Sequence, residues 1–129
     1  MTVAVVTGAS RGMGRSCVEK LRGSADQLVA VDLEPPEIEG TVGLACDVSD
    51  PEAVTRLAAR VADLGPFRAL AHVAGISPTM GDPRRIFAVD LVGTQLLLDA
   101  FESLVLPGSA AVCFSSLAAY QLAPFADAE

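Results

Sequence analysis

Tryptophan is missing from this 129-residue chain, tyrosine and histidine occur once each, and basic side chains are few, 9 against 16 acidic ones for a net charge of −7. A chain this poor in Lys and Arg lacks the clustered positive charge that nucleic acids and anionic membranes select, since counterion release requires several cationic contacts. Nucleic acid and membrane surfaces are therefore excluded as partners. One histidine and the absence of any C-x-x-C pair leave no ligand set for zinc, and no metal site is expected. Cys17, Cys46 and Cys113 are odd in number, far apart and embedded in apolar sequence, the pattern of buried thiols in a reducing compartment. Met1 runs into "TVAVVTG" with no basic leader, and no apolar run is long enough for a signal peptide or a membrane span. The cytoplasm is the expected location. Internal repeats, low-complexity tracts and linkers are lacking too, so residues 1–129 are expected to form a single domain.

What the chain does contain is apolar residue, 51% against 19% charged, enough for one buried core. Val3 to Thr7 is a short β-branched run that stops at glycine, as a strand covered on both faces does. Residues 15–22 predict a helix ending at Gly23. Residues 27–32 predict a second buried strand ending in an acid, and residues 41–46 a third. Ser49 with Glu52 fits a capping box, Pro51 suits a first turn and Gly65-Pro66 marks the stop of the next helix, whose stripe is Val54, Leu57, Ala58 and Val61. A fourth strand is expected at 68–74. A long helix should open at Asp82-Pro83 and run to about Val105, and a fifth strand should span 109–115. That long helix is apolar on more than one face, which predicts packing on a sheet and on something else, a partner subunit being one candidate. Strands alternating with helices at these spacings make βαβ units and a parallel sheet, an α/β fold.

"TGASRGMG" places Gly8, Gly12 and Gly14 between the first strand and the first helix. A loop there must turn sharply, let the backbone approach a diphosphate without a Cβ in the way, and let the helix start lie close to the strand. The helix N-terminus then offers unpaired N–H groups and partial positive charge to phosphates. A Walker A loop would end in Gly-Lys-Ser/Thr, but the only lysine, Lys20, lies well inside the helix. Asp32 ends the next strand 18 residues after Gly14, about where a ribose-binding carboxylate belongs. Together these features predict a dinucleotide site. A carboxylate at Asp32 favours NAD over NADP, because a 2′-phosphate would meet it as a like charge. Arg11 is either a solvated loop charge or, as the resemblance described next implies for NADP-preferring relatives, a group that meets that phosphate and so opposes the preference.

The loop resembles the Thr-Gly-x-x-x-Gly-x-Gly signature of the short-chain dehydrogenase/reductase family, and the resemblance runs along essentially the whole chain. "CDV" at 46–48 is similar to the segment whose acid, here Asp47, receives the adenine amino group. "HVAG" at 72–75 stands where the family has Asn-Asn-Ala-Gly. The resemblance implies a Rossmann-type doubly wound parallel sheet of about five strands in order 3-2-1-4-5, helices on both faces, with the C-terminal part of the family fold absent. It implies a cofactor-binding set of Gly8, Ser10, Arg11, Gly12, Met13, Gly14, Asp32, Leu33, Cys46, Asp47, Val48, Ala74 and Gly75. His72 is either a general base or a structural replacement for the family's Asn that hydrogen-bonds backbone, and the second is favoured.

In that family alcohol or carbonyl chemistry rests on a Ser, a Tyr-x-x-x-Lys pair and a relay Asn. Lys and the nicotinamide charge lower the tyrosine's pKa while the serine polarises the substrate oxygen. Ser116 matches the serine, and Asp90, an acceptor-only group, stands at the relay position. Tyr120 is the only tyrosine, Pro124 follows it at the fourth place, and no lysine lies beyond Lys20. "SSLAAYQLAPFADAE" is similar to the start of an insertion in the hydroxysteroid dehydrogenase/carbonyl reductase branch. The expected protein is an NAD-dependent oxidoreductase of a small alcohol or carbonyl substrate, represented by its cofactor-binding front part, inactive alone and part of a homo-oligomer. Two alternatives stay open: a module that holds NAD without turning it over, and a folding fragment.

Overall fold

The computed structural model describes residues 1–117 and shows five parallel strands, with helices in every connection except that between the second and third strands. In chain order these are β1 (Val3–Thr7), α1 (Gly12–Leu21), β2 (Gln27–Asp32), β3 (Val42–Ala45), α2 (Pro51–Leu64), β4 (Phe67–His72), α3 (Pro83–Phe87), a π-helical turn (Ala88–Val92), α4 (Gly93–Glu102) and β5 (Ala110–Cys113). The sheet order is β3-β2-β1-β4-β5, which is the doubly wound order expected from the sequence. Every neighbouring pair is parallel, with Val5 opposite both Val29 and Leu70.

β1 lies at the centre and is buried along its whole length, as a strand covered by helices on both faces must be. Alternation along the strands divides the core in two. Val3, Val5, Val29, Val31 and Leu70 point toward α2 and α4, where Val54, Leu57, Val61, Leu97 and Phe101 meet them. Phe67 and Phe101 pack edge to face at 5.3 Å between centroids. Ala4, Val6, Leu28 and Ala30 point the other way, onto Val18 of α1.

Several local expectations are corrected. α2 is capped by Asp50, whose side chain accepts from the Glu52 N–H at 3.0 Å, and not by a Ser49–Glu52 capping box. Ser49 is diverted because its hydroxyl and N–H both donate to Asp47. β4 ends at His72 instead of residue 74, since the N–H groups of Val73 and Ala74 donate to the Thr7 hydroxyl rather than to a neighbouring strand. α1 begins at Gly12, three residues early, and β3 and β5 are shorter than predicted.

The single long helix expected from residue 82 is instead α3, the π-helical turn and α4, ending at Glu102. Gly93, at the start of α4, lies against the chain at Val48, so close that a Cβ on Gly93 would stand 2.9 Å from Val48 Cγ2. The helix stops where Leu104 and Val105 donate back to Phe101 and Glu102. Its expected apolar breadth is present: Leu97 and Phe101 are buried while Leu91, Val92 and Leu98 face outward. The cysteines also differ from one another. Cys46 is buried and Cys17 half-buried, but Cys113 is exposed because β5 forms the edge of the sheet and all four of its residues are open. No helix among the described residues is long and apolar enough to cross a membrane.

Candidate dinucleotide-binding site

The carboxyl ends of β1, β2 and β4 and the start of α1 open onto one cleft of about 270 Å³. Its position, outside the C-terminal ends of the strands where the sheet order reverses, is where doubly wound sheets place ligands. Gly8, Arg11, Met13, Gly14, Asp32, Leu33, Cys46, Asp47, Val48, Ala74 and Gly75 of the predicted set line it. Ser10 and Gly12 do not, although the Ser10 N–H donates to Asp32 Oδ2 at 3.0 Å.

The loop's glycines meet three separate demands. Gly8 and Gly12 have φ of +66° and +58°, a region costly for residues with a Cβ. A Cβ on Gly8 would also stand 2.9 Å from Ala74, the opposite wall. At Gly14 the constraint is space alone, because a Cβ there would overlap the carbonyl oxygen of Gly8. α1 starts at the loop with no side-chain cap and no acid in its first turn. Its leading N–H groups and the positive end of its dipole are thus left for an anion. This cradle fits a diphosphate.

Asp32 lies at the far side of the loop. Its Oδ2 accepts from Ser10 and its Oδ1 from the Leu33 N–H at 2.8 Å, so the carboxylate is fixed in place while each oxygen keeps a lone pair for a sugar hydroxyl. Arg11 also lines the cleft. At the adenine end predicted by resemblance, Asp47 Oδ1 accepts from the Ser49 hydroxyl at 2.6 Å and Oδ2 faces Arg85 Nη2 at 3.4 Å. The Ser49 hydroxyl first, then the Ser49 amide and the Arg85 guanidinium, hold the Asp47 carboxyl below the usual carboxylate range. Burial pushes the Cys46 thiol up to about 11, with the charges of Asp47 and Asp50 adding to it, so this cysteine is a wall and not a nucleophile.

The third wall is the stretch after β4. Thr7, Val31, Val73, Ile76, Met80, Arg85 and Val89 also line the cleft and are not among the expected binding residues. Thr7 was legible as the residue before Gly8. Arg85 reaches Asp47 and Ser49 from 38 and 36 residues away, a pairing that no spacing announces.

His72 is 4% exposed and bonds hydroxyls, not backbone as expected: Nδ1 is 2.7 Å from Thr7 Oγ1 and Nε2 is 2.9 Å from Thr94 Oγ1. Burial lowers its pKa against a smaller opposing pull from Asp90. Asp90, exposed on the π-helical turn and outside the cleft lining, accepts from the Ile76 N–H at 2.8 Å. Ser116 is exposed three residues past β5 and is also outside the lining. Tyr120 and most of the tail compared with the hydroxysteroid branch lie outside the described residues. Among the described residues no group of three or more His, Cys, Asp or Glu is placed to hold a metal.

The family model described as enoyl-(acyl carrier protein) reductase matches residues 8–128. A short-chain type dehydrogenase/reductase of Sinorhizobium fredii is 35% identical over 133 residues, covering 90% of this chain and 24% of its own length. Among solved structures, a metagenomic short-chain oxidoreductase in complex with NADP superposes with a TM-score of 0.76 at 29% identity, over 91% of this chain and 63% of that one. A uronate dehydrogenase variant from Agrobacterium tumefaciens complexed with NAD superposes with a TM-score of 0.68 at 26% identity, over 89% of this chain and 40% of that one. The chain spans less than two thirds of the length of each of these relatives.

Proposed function

Because this chain belongs to the short-chain dehydrogenase/reductase family, we propose that it is the cofactor-binding portion of an NAD-dependent oxidoreductase acting on a small alcohol or carbonyl compound. The observation that carries the proposal is the uncapped start of α1 behind Gly8, Gly12 and Gly14, with Asp32 fixed at one end of the same cleft. The α1 amides would take the diphosphate, Asp32 the adenosine ribose diol, and Asp47 and Val48 the adenine. The nicotinamide, when bound, supplies the hydride chemistry. The residues of this chain bind, orient and shield it. Ser116 would polarise the substrate oxygen, and Asp90 occupies the relay position.

The two cofactor-bearing structural relatives hold different dinucleotides, one NAD and one NADP. Asp32 is the residue that selects between them here. Its carboxylate accepts a ribose diol and repels a 2′-phosphate, so NAD is preferred. The outward Leu91, Val92 and Leu98 support self-association into a homo-oligomer, and the acidic, reduced-thiol composition supports a cytoplasmic location. One observation favours a second reading, a module that binds NAD without turnover: the Asp90 carboxylate is committed to the Ile76 amide. Titration with NADH and NADPH followed by nicotinamide fluorescence tests the proposal. Saturable binding with NADH tighter is expected, and absence of saturable binding with either would overturn it.

A further inference from the structure

The polar groups beneath the cleft, with Thr7 and His72 buried and Asp90 exposed at the far end, form a chain of hydrogen bonds whose protons can be assigned one by one. A threonine hydroxyl donates once and accepts twice. Thr7 Oγ1 accepts from the amides of Val73 at 3.0 Å and Ala74 at 3.1 Å, so its own proton goes to His72 Nδ1. His72 Nδ1 must then be unprotonated, which puts the ring proton on Nε2 and aims it at Thr94 Oγ1. Thr94 passes its proton to the Asp90 carbonyl at 2.7 Å, and the Asp90 carboxylate accepts from Ile76. Both ends of the circuit grip residues 73–76, and all four of these line the cleft.

We propose that His72 is a positioning residue: its neutral Nε2–H ring, held between Thr7 and Thr94, fixes the 73–76 wall, and protonation of the ring frees that wall and weakens dinucleotide binding. This rests on the dinucleotide function proposed above. A proton on Nδ1 leaves the Thr7 hydroxyl with no acceptor, and the hydroxyl must rotate away from the two amides it now receives. Gly8 shares in the consequence, since Ala74 sits against it at the near-contact that forbids a Cβ there. The charged group facing the ring is Asp90, which favours the protonated form but is outweighed by burial. β1 and α4 present the uncharged Thr7 and Thr94, and β5 presents the Cys113 thiol at the register position opposite.

The test compares the wild-type chain with His72→Asn and His72→Gln. Asn places an amide oxygen where Nδ1 stands and keeps the Thr7 bond, whereas Gln reaches the Nε2 position and leaves Thr7 without an acceptor. NADH affinity is measured from about pH 5 to about pH 8, with circular dichroism checking that each protein stays folded. Wild-type affinity should fall at acid pH by up to about tenfold per pH unit. His72→Asn should keep most of the neutral-pH affinity with no acid limb from this ring, and His72→Gln should bind about fivefold more weakly at every pH. An acid limb that persists unchanged in His72→Asn, or wild-type affinity in His72→Gln, would overturn the inference. A chain that binds no NADH at neutral pH refutes the function instead. Imidazole nitrogen NMR then decides the positioning role: an Nε2–H tautomer whose titration moves the Val73 and Ala74 amide signals supports it, and an Nδ1–H tautomer or amide signals blind to that titration refute it.

Discussion

If Asp32 selects the cofactor as proposed, replacing it by Asn should narrow the proposed preference for NADH over NADPH from both directions. The carboxylate is held by two backbone amides, Ser10 to Oδ2 and Leu33 to Oδ1, and an Asn side chain of the same shape can accept only one of them. Losing one such bond and the charge-assisted hold on the ribose diol costs NADH about 1 to 2 kcal/mol, or roughly five- to thirtyfold in affinity. NADPH should gain. A unit charge pair at about 4 Å is worth about 1 kcal/mol in water and about 4 kcal/mol at the effective dielectric of a protein surface. Asp32 is half-buried, so removing the repulsion should tighten NADPH by between about fivefold and several hundredfold. Isothermal titration with both cofactors measures the two effects separately. Raising the salt to about 1 M provides a control, because a Debye length near 3 Å should reduce the wild-type discrimination as well. An NADH-to-NADPH affinity ratio that is the same in Asp32→Asn as in the wild type would refute the role given to this carboxylate.

Gly14→Ala should abolish dinucleotide binding and lower thermal stability, because its methyl would overlap the Gly8 carbonyl oxygen; a normal NADH titration for this variant would contradict the packing described. Asp50→Ala should cost about 1 kcal/mol in urea unfolding through loss of the α2 cap, whereas Ser49→Ala should leave that cap intact. The depressed pKa of His72 makes the folded chain bind fewer protons than the unfolded one. That stability is fully present above the unfolded value of about 6.5 and is lost as pH falls through the folded one. The unfolding midpoint should therefore drop on acidification below about pH 6.5, and His72→Asn should remove that part of the slope.

The central strand, the glycine loop and Asp32 were legible because each is fixed by local chemistry: a β-branched run, backbone conformations closed to side chains, and an acid at a strand end. The parallel sheet followed from strands interspersed with helices, and its order from the family the loop resembles. The rest depends on contacts between distant segments. Gly93 packs against Val48, 45 residues away in the chain, and β4 is cut short by a hydroxyl on β1. The exposure of Cys113 follows from the position of β5 in the sheet, which its apolar neighbours do not reveal. Arg85 enters the cleft because α3 folds back over the β3–α2 connection, and the Thr7–His72–Thr94 circuit joins three elements that no periodicity links.

Backbone amide NMR of the chain during NAD titration tests the central claim most directly. The account predicts that the largest shifts fall on Gly12, Met13 and Gly14, where α1 begins, and on Ser10 and Leu33, the two amides that hold Asp32. Shifts confined to surfaces away from this loop, or none at saturating NAD, would contradict it.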